Sequence, residues 1–349
     1  MRPLSAVQAG GAGSVRYGRR VRRSVLLATI VLFPLAVLPR WTTLERRSVP
    51  AGQLSVTAER VPLDAHDPAR RRVGCLDYLG GVALTGSDRT FGGFSALGVR
   101  GDRFTMIGDG GQVLRFRMGA DWTPRDILFE DLPGGPASGW EKRHRDAESL
   151  AIDPVTDRAW VGYEGYNQIW RYTPGFRRGD RGIAPAAMRD WSDNGGIESF
   201  ARLADGRFAA ISESPPREVG ARLRMGLVWP GDPTRTRPAF RFGYAPTNDH
   251  DDPSDMTQLP DGRLLILERG FTLPFFWSLR VGIVDLPSIR PAARVQARPI
   301  GVLAAPLITD NFEGVAARRE GDSTVVWLVS DDNHLPIQRT LLLKFRLTC

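Results

Sequence analysis

Cysteine is scarce in this sequence, which has Cys75 and Cys349 as its only two in 349 residues. Two cysteines are too few to hold a metal by themselves, and neither has a plausible catalytic histidine beside it in sequence. The G-x-S-x-G elbow, the Walker loop, H-E-x-x-H and C-x-x-C are also absent. These absences leave no recognisable serine or cysteine nucleophile and no nucleotide-binding or zinc-binding motif.

A hydrophobic run long enough to span a membrane is also missing. The uncharged apolar segment 24–38 has 15 residues and is interrupted by Pro34, whereas a spanning helix needs about 20. Four arginines (19, 20, 22 and 23) precede it, which is typical of bacterial export signals. We therefore predict that residues 1–47 are a signal peptide or an uncleaved anchor, and both remain open because no clear A-x-A site follows. Residues 48–349 would then be an exported domain, soluble in the periplasm or tethered to the inner membrane by residues 24–38.

Excess charge is confined to the N-terminal segment. The formal net charge of the chain is +8, and residues 1–47 contain nine arginines and one glutamate. Residues 48–349 contain 38 basic and 38 acidic side chains. The folded domain therefore has no electrostatic signature of nucleic-acid binding.

A repeat of two short strands, each associated with a carboxylate, organises the domain. Its five copies are residues 94–111, 148–165, 198–214, 254–270 and 313–332. The first carboxylate position holds Ser95, Glu148, Glu198, Asp255 and Glu313, at spacings of 53, 50, 57 and 58 residues. The second strand ends on Asp109, Glu164, Glu213, Glu268 and Asp331. Each unit has room for two further strands, such as 168–173 and 186–191 in the second copy, and this spacing predicts an all-β fold of β-propeller blades.

The two ends of the domain are predicted to close the ring. Segment 339–347 supplies a third strand to the last blade and segment 76–84 supplies the fourth, which leaves no sheet edge open. Five blades are recognisable, and a sixth, degenerate blade built on residues 54–61 stays open. Closure brings Cys75 and Cys349 into one blade, where they form either a disulfide or two unpaired thiols.

The repeated carboxylates are the candidate site. Inner strands of a propeller line its channel, so equivalent carboxylates form rings and repel one another. A cation such as Ca²⁺, which takes about six to eight oxygen ligands, is one solution, and Arg145 or Arg269 is another. Alternatively, each carboxylate accepts backbone N–H bonds and joins neighbouring blades. His144, His250 and His334 lie beside acidic clusters, which makes them candidates for a general acid or base.

The motifs in this order resemble the bacterial phytase-like proteins, a family described as having the esterase-like activity of phytase. They are FGGFSAL (91–97), DAESLAID (146–153), GGIESFARLADGR (195–207), PSDMTQLPDGRLLILERGF (253–271), DNFEGVA (310–316), SDDN (330–333) and QRTLLL (338–343). The resemblance implies a propeller, export and activity on phosphate or carboxylate esters. Ser95 departs from the carboxylate ring. Because Lys142 and Lys344 are the only lysines, a phosphate site would have to use arginine.

Two hypotheses follow for the function. The first is a Ca²⁺-assisted hydrolase of a small anionic ester, monomeric and using water as the nucleophile. Its predicted catalytic residues are Glu148, His334, Arg269 and Glu313; its metal ligands are Glu148, Glu198, Asp255, Glu313 and Asp331; its substrate-binding residues are Arg145, Arg269 and Arg339. The second is a non-catalytic envelope module that uses the propeller face for binding or as a scaffold.

Overall fold

The computed structural model describes residue 49 and residues 54–138, 142–215, 222–273 and 276–349. The signal or anchor segment predicted at 1–47 lies outside these residues. Among them, no helix is long and apolar enough to cross a membrane. The described residues form the predicted all-β structure, with one short helix at Lys142–Arg145 and 3₁₀ turns at Pro174–Phe176, Ala186–Met188 and Leu286–Ser288.

Five antiparallel sheets form the five blades of a β-propeller. From the inner to the outer strand, blade 1 is Phe94–Arg100, Arg103–Gly108, Gln112–Met118 and Pro124–Asp131; blade 2 is Ala147–Ile152, Ala159–Tyr163, Gln168–Tyr172 and Gly179–Ile183. Blade 3 is Ile197–Arg202, Phe208–Ser212, Arg224–Trp229 and Phe240–Tyr244, with Arg294–Val295 added in parallel; blade 4 is Asp251–Gln258, Leu264–Thr272, Phe276–Val284 and Arg298–Leu303. Blade 5 is Asn311–Glu320, Ser323–Asp331, Thr340–Leu347 and Leu76–Gly86.

Strands from both ends of the domain close blade 5, as predicted. Thr340–Leu347 pairs antiparallel with Leu76–Gly86. Residues 54–61 do not begin a sixth blade, because Val56–Arg60 pairs with Leu76–Gly86 as an additional outer strand. The two-residue strand Arg72–Val73 pairs with the same strand. The ring therefore has five blades.

The prediction of an outer strand at 186–191 in blade 2 is wrong. The outer strand is Gly179–Ile183, and Ala186–Met188 is a 3₁₀ turn. Met188 and Trp191 are fully buried in the cluster between blades 2 and 3. Side chains three residues apart lie on one side of such a turn, so a turn buries both together, whereas a strand would point them to opposite faces.

The hydrophobic core is divided among the interfaces between neighbouring blades. Five clusters of buried side chains occupy these interfaces in the described part of the chain. The second strand of each blade contributes to the clusters on both of its faces, which explains why Ala159–Tyr163 and Phe208–Ser212 are continuous apolar runs. Each blade is thus stabilised by both neighbours, and ring closure completes the core.

A disulfide joins Cys75 to Cys349. Their Cα atoms are 5.6 Å apart, within the range of about 4.4–6.8 Å that a disulfide requires. Thr348 also donates its backbone N–H to the carbonyl of Cys75 over 2.9 Å. The covalent link therefore lies beside the strands that close blade 5.

Candidate functional site

Every inner strand carries a β-bulge near its first residues. The pairing with the second strand shifts by one residue there, which leaves one residue unpaired in each blade. The unpaired residues are Ser95, Glu148, Glu198, Ser254 and Glu313. A bulge changes the direction of its side chain, so these positions form one ring at one end of the channel.

Blade 4 departs from the predicted register by one residue. Its bulge is at Ser254, and Asp255 pairs with Leu267. In each blade, the last inner-strand residue before the bulge pairs with a residue of the second strand. The next residue along the second strand is the second-ring position. It holds Asp109, Glu164, Glu213, Arg269 and Asp331 in blades 1 to 5. Arg269, rather than Glu268, therefore belongs to the second ring.

Arg269 lies among carboxylates from blades 3 and 5. Its Nη2 atom is 2.5 Å from Glu213 Oε1 and 3.6 Å from Glu198 Oε2. Its Nη1 atom pairs with Glu313 and donates to Asn311 Oδ1 over 2.8 Å. The structure thus brings together Glu198, Glu313 and Arg269, as expected from the sequence, and adds Glu213.

Glu164 connects this group to further carboxylates. Single oxygens of Asp146, Glu148 and Glu164 lie within 4.8 Å of one another, and so do oxygens of Glu164, Glu198 and Glu213. Asp109 and Asp331 interact electrostatically with Glu313. We call this set the channel cluster: Asp109, Asp146, Glu148, Glu164, Glu198, Glu213, Glu313 and Asp331, with Arg269.

Burial and mutual repulsion raise the pKa values of several cluster carboxylates. Burial, together with Glu148 and Glu213, raises the pKa of Glu164 to about 8. Burial raises the pKa of Glu313 to about 7, even though Arg269 opposes the shift. The pKa values of Glu198 and Asp331 are also well above their usual range, chiefly because of burial. The cluster therefore holds protons near neutral pH unless another cation compensates its charge.

Asp255 and Glu268 accept hydrogen bonds from groups outside the channel cluster. Asp255 accepts the N–H groups of Met256 and of Val315 in blade 5, both over 2.7 Å. Glu268 accepts the hydroxyl of Tyr244 over 2.6 Å. Asp255 thus joins two blades, and its predicted role as a metal ligand does not fit this placement.

The other two predicted substrate-binding arginines, Arg145 and Arg339, differ in burial and in their contacts. Nη2 of Arg145 donates to the carbonyls of Gly111 and Leu132, each over 3.0 Å. Arg339 is exposed, and its backbone N–H donates to Asp310 over 3.0 Å. Arg145 therefore supports the backbone of blade 1, and Arg339 offers its side chain to solvent.

Of the three candidate histidines, His334 lies beside the cluster member Asp109. Gly93 has a φ of +63°, and a Cβ atom there would lie 2.4 Å from Asp109 Oδ1 and 3.1 Å from His334 Nε2. Glycine at this position therefore leaves space for both side chains. His144 stacks on Tyr166 with ring centroids 6.1 Å apart, and His250 is exposed in a loop.

A family model for phytase-like proteins, described as "esterase-like activity of phytase", matches residues 89–334. The chain belongs to this phytase-like family. The matched residues include every member of the channel cluster. A search of curated proteins finds no match.

Solved structures similar to this phytase-like protein are remote. A 6-phosphogluconolactonase-like protein from Bacteroides fragilis has 10% identity and a TM-score of 0.38, with 84% of this chain and 82% of that chain covered. Hydrazine synthase from Kuenenia stuttgartiensis has 13% identity and a TM-score of 0.37, with 70% of this chain and 58% of that chain covered. Likenesses this remote say nothing about function.

A cavity in the phytase-like protein lies at the other end of the channel from the cluster. It has a volume of about 720 Å³ and is lined by the later residues of all five inner strands, including Leu97, Leu150 and Val315. Arginines such as Arg103 and Arg202 also line it. The cavity and the channel cluster are therefore separated along the channel.

The channel cluster of the phytase-like protein has the donor set that a hard cation prefers. Carboxylate oxygens are the ligands of Ca²⁺ in proteins, and the groupings around Glu164 supply them from blades 2 and 3. Glu198 Oε2 is buried and accepts no hydrogen bond from the described residues. Of these carboxylates, sequence analysis missed Asp146, and it placed Glu164 and Glu213 in the second ring without naming them as ligands. The signal for Asp146 was its place two residues before Glu148, immediately before an inner strand.

Proposed function

We propose that the channel cluster binds a divalent cation such as Ca²⁺ and that the protein hydrolyses a phosphate or carboxylate ester at this end of the channel. The observation that carries the proposal is the charge of the cluster, which combines eight carboxylates with the guanidinium of Arg269. Membership of the phytase-like family supports ester hydrolysis as the reaction class. Export to the periplasm, in soluble or tethered form, is part of the same proposal.

The ligands proposed for the cation are the carboxylates grouped around Glu164. Asp146, Glu148, Glu164, Glu198 and Glu213 supply oxygens within 4.8 Å of each other in two overlapping sets. A cation bound there would polarise an ester oxygen and make a nearby water more acidic. Glu313 lies at the edge of this group, where it pairs with Arg269, and its negative charge adds to the attraction of the group for the cation.

Arg269 acts in this proposal as a positioning residue. Both of its terminal nitrogens are already engaged by Glu198, Glu213, Glu313 and Asn311. It therefore holds carboxylates of blades 3 and 5 together instead of receiving the substrate anion. In this proposal His334, which lies beside Asp109 at Gly93, exchanges a proton with water or with the leaving group.

The non-catalytic alternative is supported by a different observation. Asp255 joins blades 4 and 5 through backbone N–H groups, and Glu164 accepts the N–H groups of Gly195 and Gly196 in blade 3. If every cluster carboxylate acted in this way, the ring would be a structural device. Glu313 differs, because its described hydrogen bonds come from the side chains of Arg269 and Asn311.

The first test is a calcium titration of thermal stability, followed by a screen of phosphate and carboxylate esters. We expect Ca²⁺ to raise the melting temperature, and Glu313→Gln to reduce both this rise and any hydrolysis. Glu268→Gln is the matched control, since Glu268 is a buried carboxylate of blade 4 that accepts a hydrogen bond from Tyr244 outside the cluster. If Glu313→Gln keeps the full calcium response and activity, the binding-module hypothesis is preferred.

A further inference from the structure

An apolar hairpin extends blade 4 at the end of the channel that holds the cluster. The second and third strands continue to pair at Phe271–Trp277 and Thr272–Phe276. The flanking strands end their pairing earlier, at Gly270 and Leu279. The tip of this hairpin therefore projects beyond the sheet.

The described residues of the tip expose apolar side chains. Phe271 is 42% exposed, Leu273 is 79% exposed and Phe276 is 58% exposed. No charged residue occurs in the sequence between Arg269 and Arg280. A cluster of exposed apolar side chains of this kind is typical of a binding surface.

One face of the hairpin is continuous with the channel cluster. Arg269, Phe271 and Trp277 share that face, because alternate residues of a strand and directly paired residues point to the same side. The rings of Phe271 and Trp277 have centroids 4.6 Å apart. The guanidinium carbon of Arg269 lies 5.8 Å from the centroid of the Trp277 ring. The aromatic pair thus adjoins the arginine around which the carboxylates gather.

We propose that Trp277 and Phe271 bind an aryl or alkyl group of the substrate, next to the bond that is hydrolysed. This inference rests on the proposed function and narrows its substrate class to esters with an apolar group and few negative charges. Trp277 is half-buried beside Arg269, so the exposed part of its ring can contact an apolar group attached directly to the ester. A polyanionic substrate fits poorly, since the surrounding carboxylates repel several negative charges at once.

The test compares two variants on opposite faces of the hairpin. Trp277→Ala removes the ring beside Arg269, and Phe276→Ala removes an exposed ring on the other face, where it pairs with Thr272. We expect Trp277→Ala to lower kcat/KM for phenyl phosphate or phenyl acetate about 10-fold, as for loss of an apolar pocket contact. Glycerol 2-phosphate and methyl acetate, which lack a large apolar group, should be affected less than about twofold. Phe276→Ala should leave both kinds of substrate unaffected.

Binding of non-hydrolysable ligands separates this inference from the proposed hydrolysis. With Ca²⁺ present, calorimetry should give phenylphosphonate a Kd about 10-fold lower than that of methylphosphonate, and Trp277→Ala should remove the difference. An aryl preference without any turnover would refute the hydrolase and retain the apolar-ligand inference. If the protein hydrolyses or binds these compounds without preferring the aryl one, the apolar-ligand inference is wrong and the proposed hydrolysis is unaffected.

A membrane surface is the competing occupant of the hairpin. Vesicles of phosphatidylethanolamine and phosphatidylglycerol test it by co-sedimentation with the wild-type protein and both variants. Our inference predicts that vesicle binding does not depend on Trp277 or Phe276. If both variants lose vesicle binding while phenylphosphonate binds as before, the hairpin is a membrane contact and the substrate assignment falls.

Discussion

At the scale of single residues, the position of one guanidinium decides the balance of charge in the channel. Arg269 lies where the other blades present Asp109, Glu164, Glu213 and Asp331. Its side chain is 14% exposed, so water screens its ion pairs only weakly. A positive charge in one blade thus allows carboxylates of its neighbours to approach each other.

Replacing Arg269 tests this compensation. Arg269→Gln should destabilise the protein by about 3–5 kcal/mol without divalent cations, since it leaves buried carboxylates without their partner. Arg263→Gln in the same blade is the control, and should cost about 0–1 kcal/mol because its partner Asp261 is exposed. Urea unfolding measures both. Equal losses in the two variants would contradict a central role for Arg269, and added Ca²⁺ should restore part of the loss only in Arg269→Gln.

The cluster also predicts an unusual dependence of stability on pH. The pKa of Glu164 is raised from 4.5 to about 8 and that of Glu313 from 4.5 to about 7. From pH 4.5 up to about pH 8, the folded protein therefore holds more protons than the unfolded chain. The free energy of unfolding falls as the pH rises through this range. We expect the melting temperature in EDTA to decrease from pH 5 to pH 8, and Ca²⁺ to reduce the slope. A melting temperature that rises over this interval would show that the carboxylates are ionised and otherwise compensated.

At the scale of elements, the repeat predicted the strands, but the bulge determined the site. Alternation and spacing identified the inner and second strands because these are short, apolar and regularly placed. Blade 4 has two neighbouring candidates at each ring position, Ser254 or Asp255 at the first and Glu268 or Arg269 at the second. The prediction chose the carboxylate at both positions, and the structure has the other residue in the ring.

A turn in the sequence contained the information that fixes the register of blade 4. Residues 203–207 read LADGR and residues 259–263 read LPDGR, and Gly206 and Gly262 have φ angles of 90° and 93°. Aligning these turns without a gap places Ser254 opposite Glu198 and Arg269 opposite Glu213. The contacts of Arg269 could not be predicted in the same way, since they join residues 44 and 56 positions apart in the chain.

Replacing Asp255 tests whether this carboxylate joins two blades or binds the proposed cation. Asp255→Ala should lower stability by about 1–3 kcal/mol, because it leaves the buried N–H of Val315 without its partner. It should not change the size of the calcium-induced rise in melting temperature. Thermal melts with and without Ca²⁺ measure both effects. A reduced calcium response would support Asp255 as a ligand of the proposed cation site.

At the scale of the whole molecule, the disulfide turns an open chain into a closed ring. Cys75 and Cys349 are 274 residues apart in sequence. Closing so long a loop stabilises the folded state by on the order of 5 kcal/mol in the chain-entropy model.

The double variant Cys75→Ser, Cys349→Ser measures this contribution. We expect urea unfolding of the variant to resemble that of the reduced wild-type protein, with a free energy of unfolding on the order of 5 kcal/mol lower than in the oxidised protein. Dithiothreitol should not affect the variant. If the oxidised protein and the variant unfold at the same urea concentration, hydrogen bonds and packing in blade 5 hold the ring without covalent help.

The five inner strands run in the same direction, from the cluster towards the arginine-lined cavity, and this gives the ring an electrical polarity. Carboxylates gather at one mouth, and Arg100, Arg103, Arg115 and Arg202 are among the residues around the other. A dissolved cation is attracted to the first mouth and deflected from the second, while small anions experience the reverse. The two faces of the propeller thus differ in electrostatic potential, and an approaching solute is attracted or repelled according to the sign of its charge before it contacts any side chain.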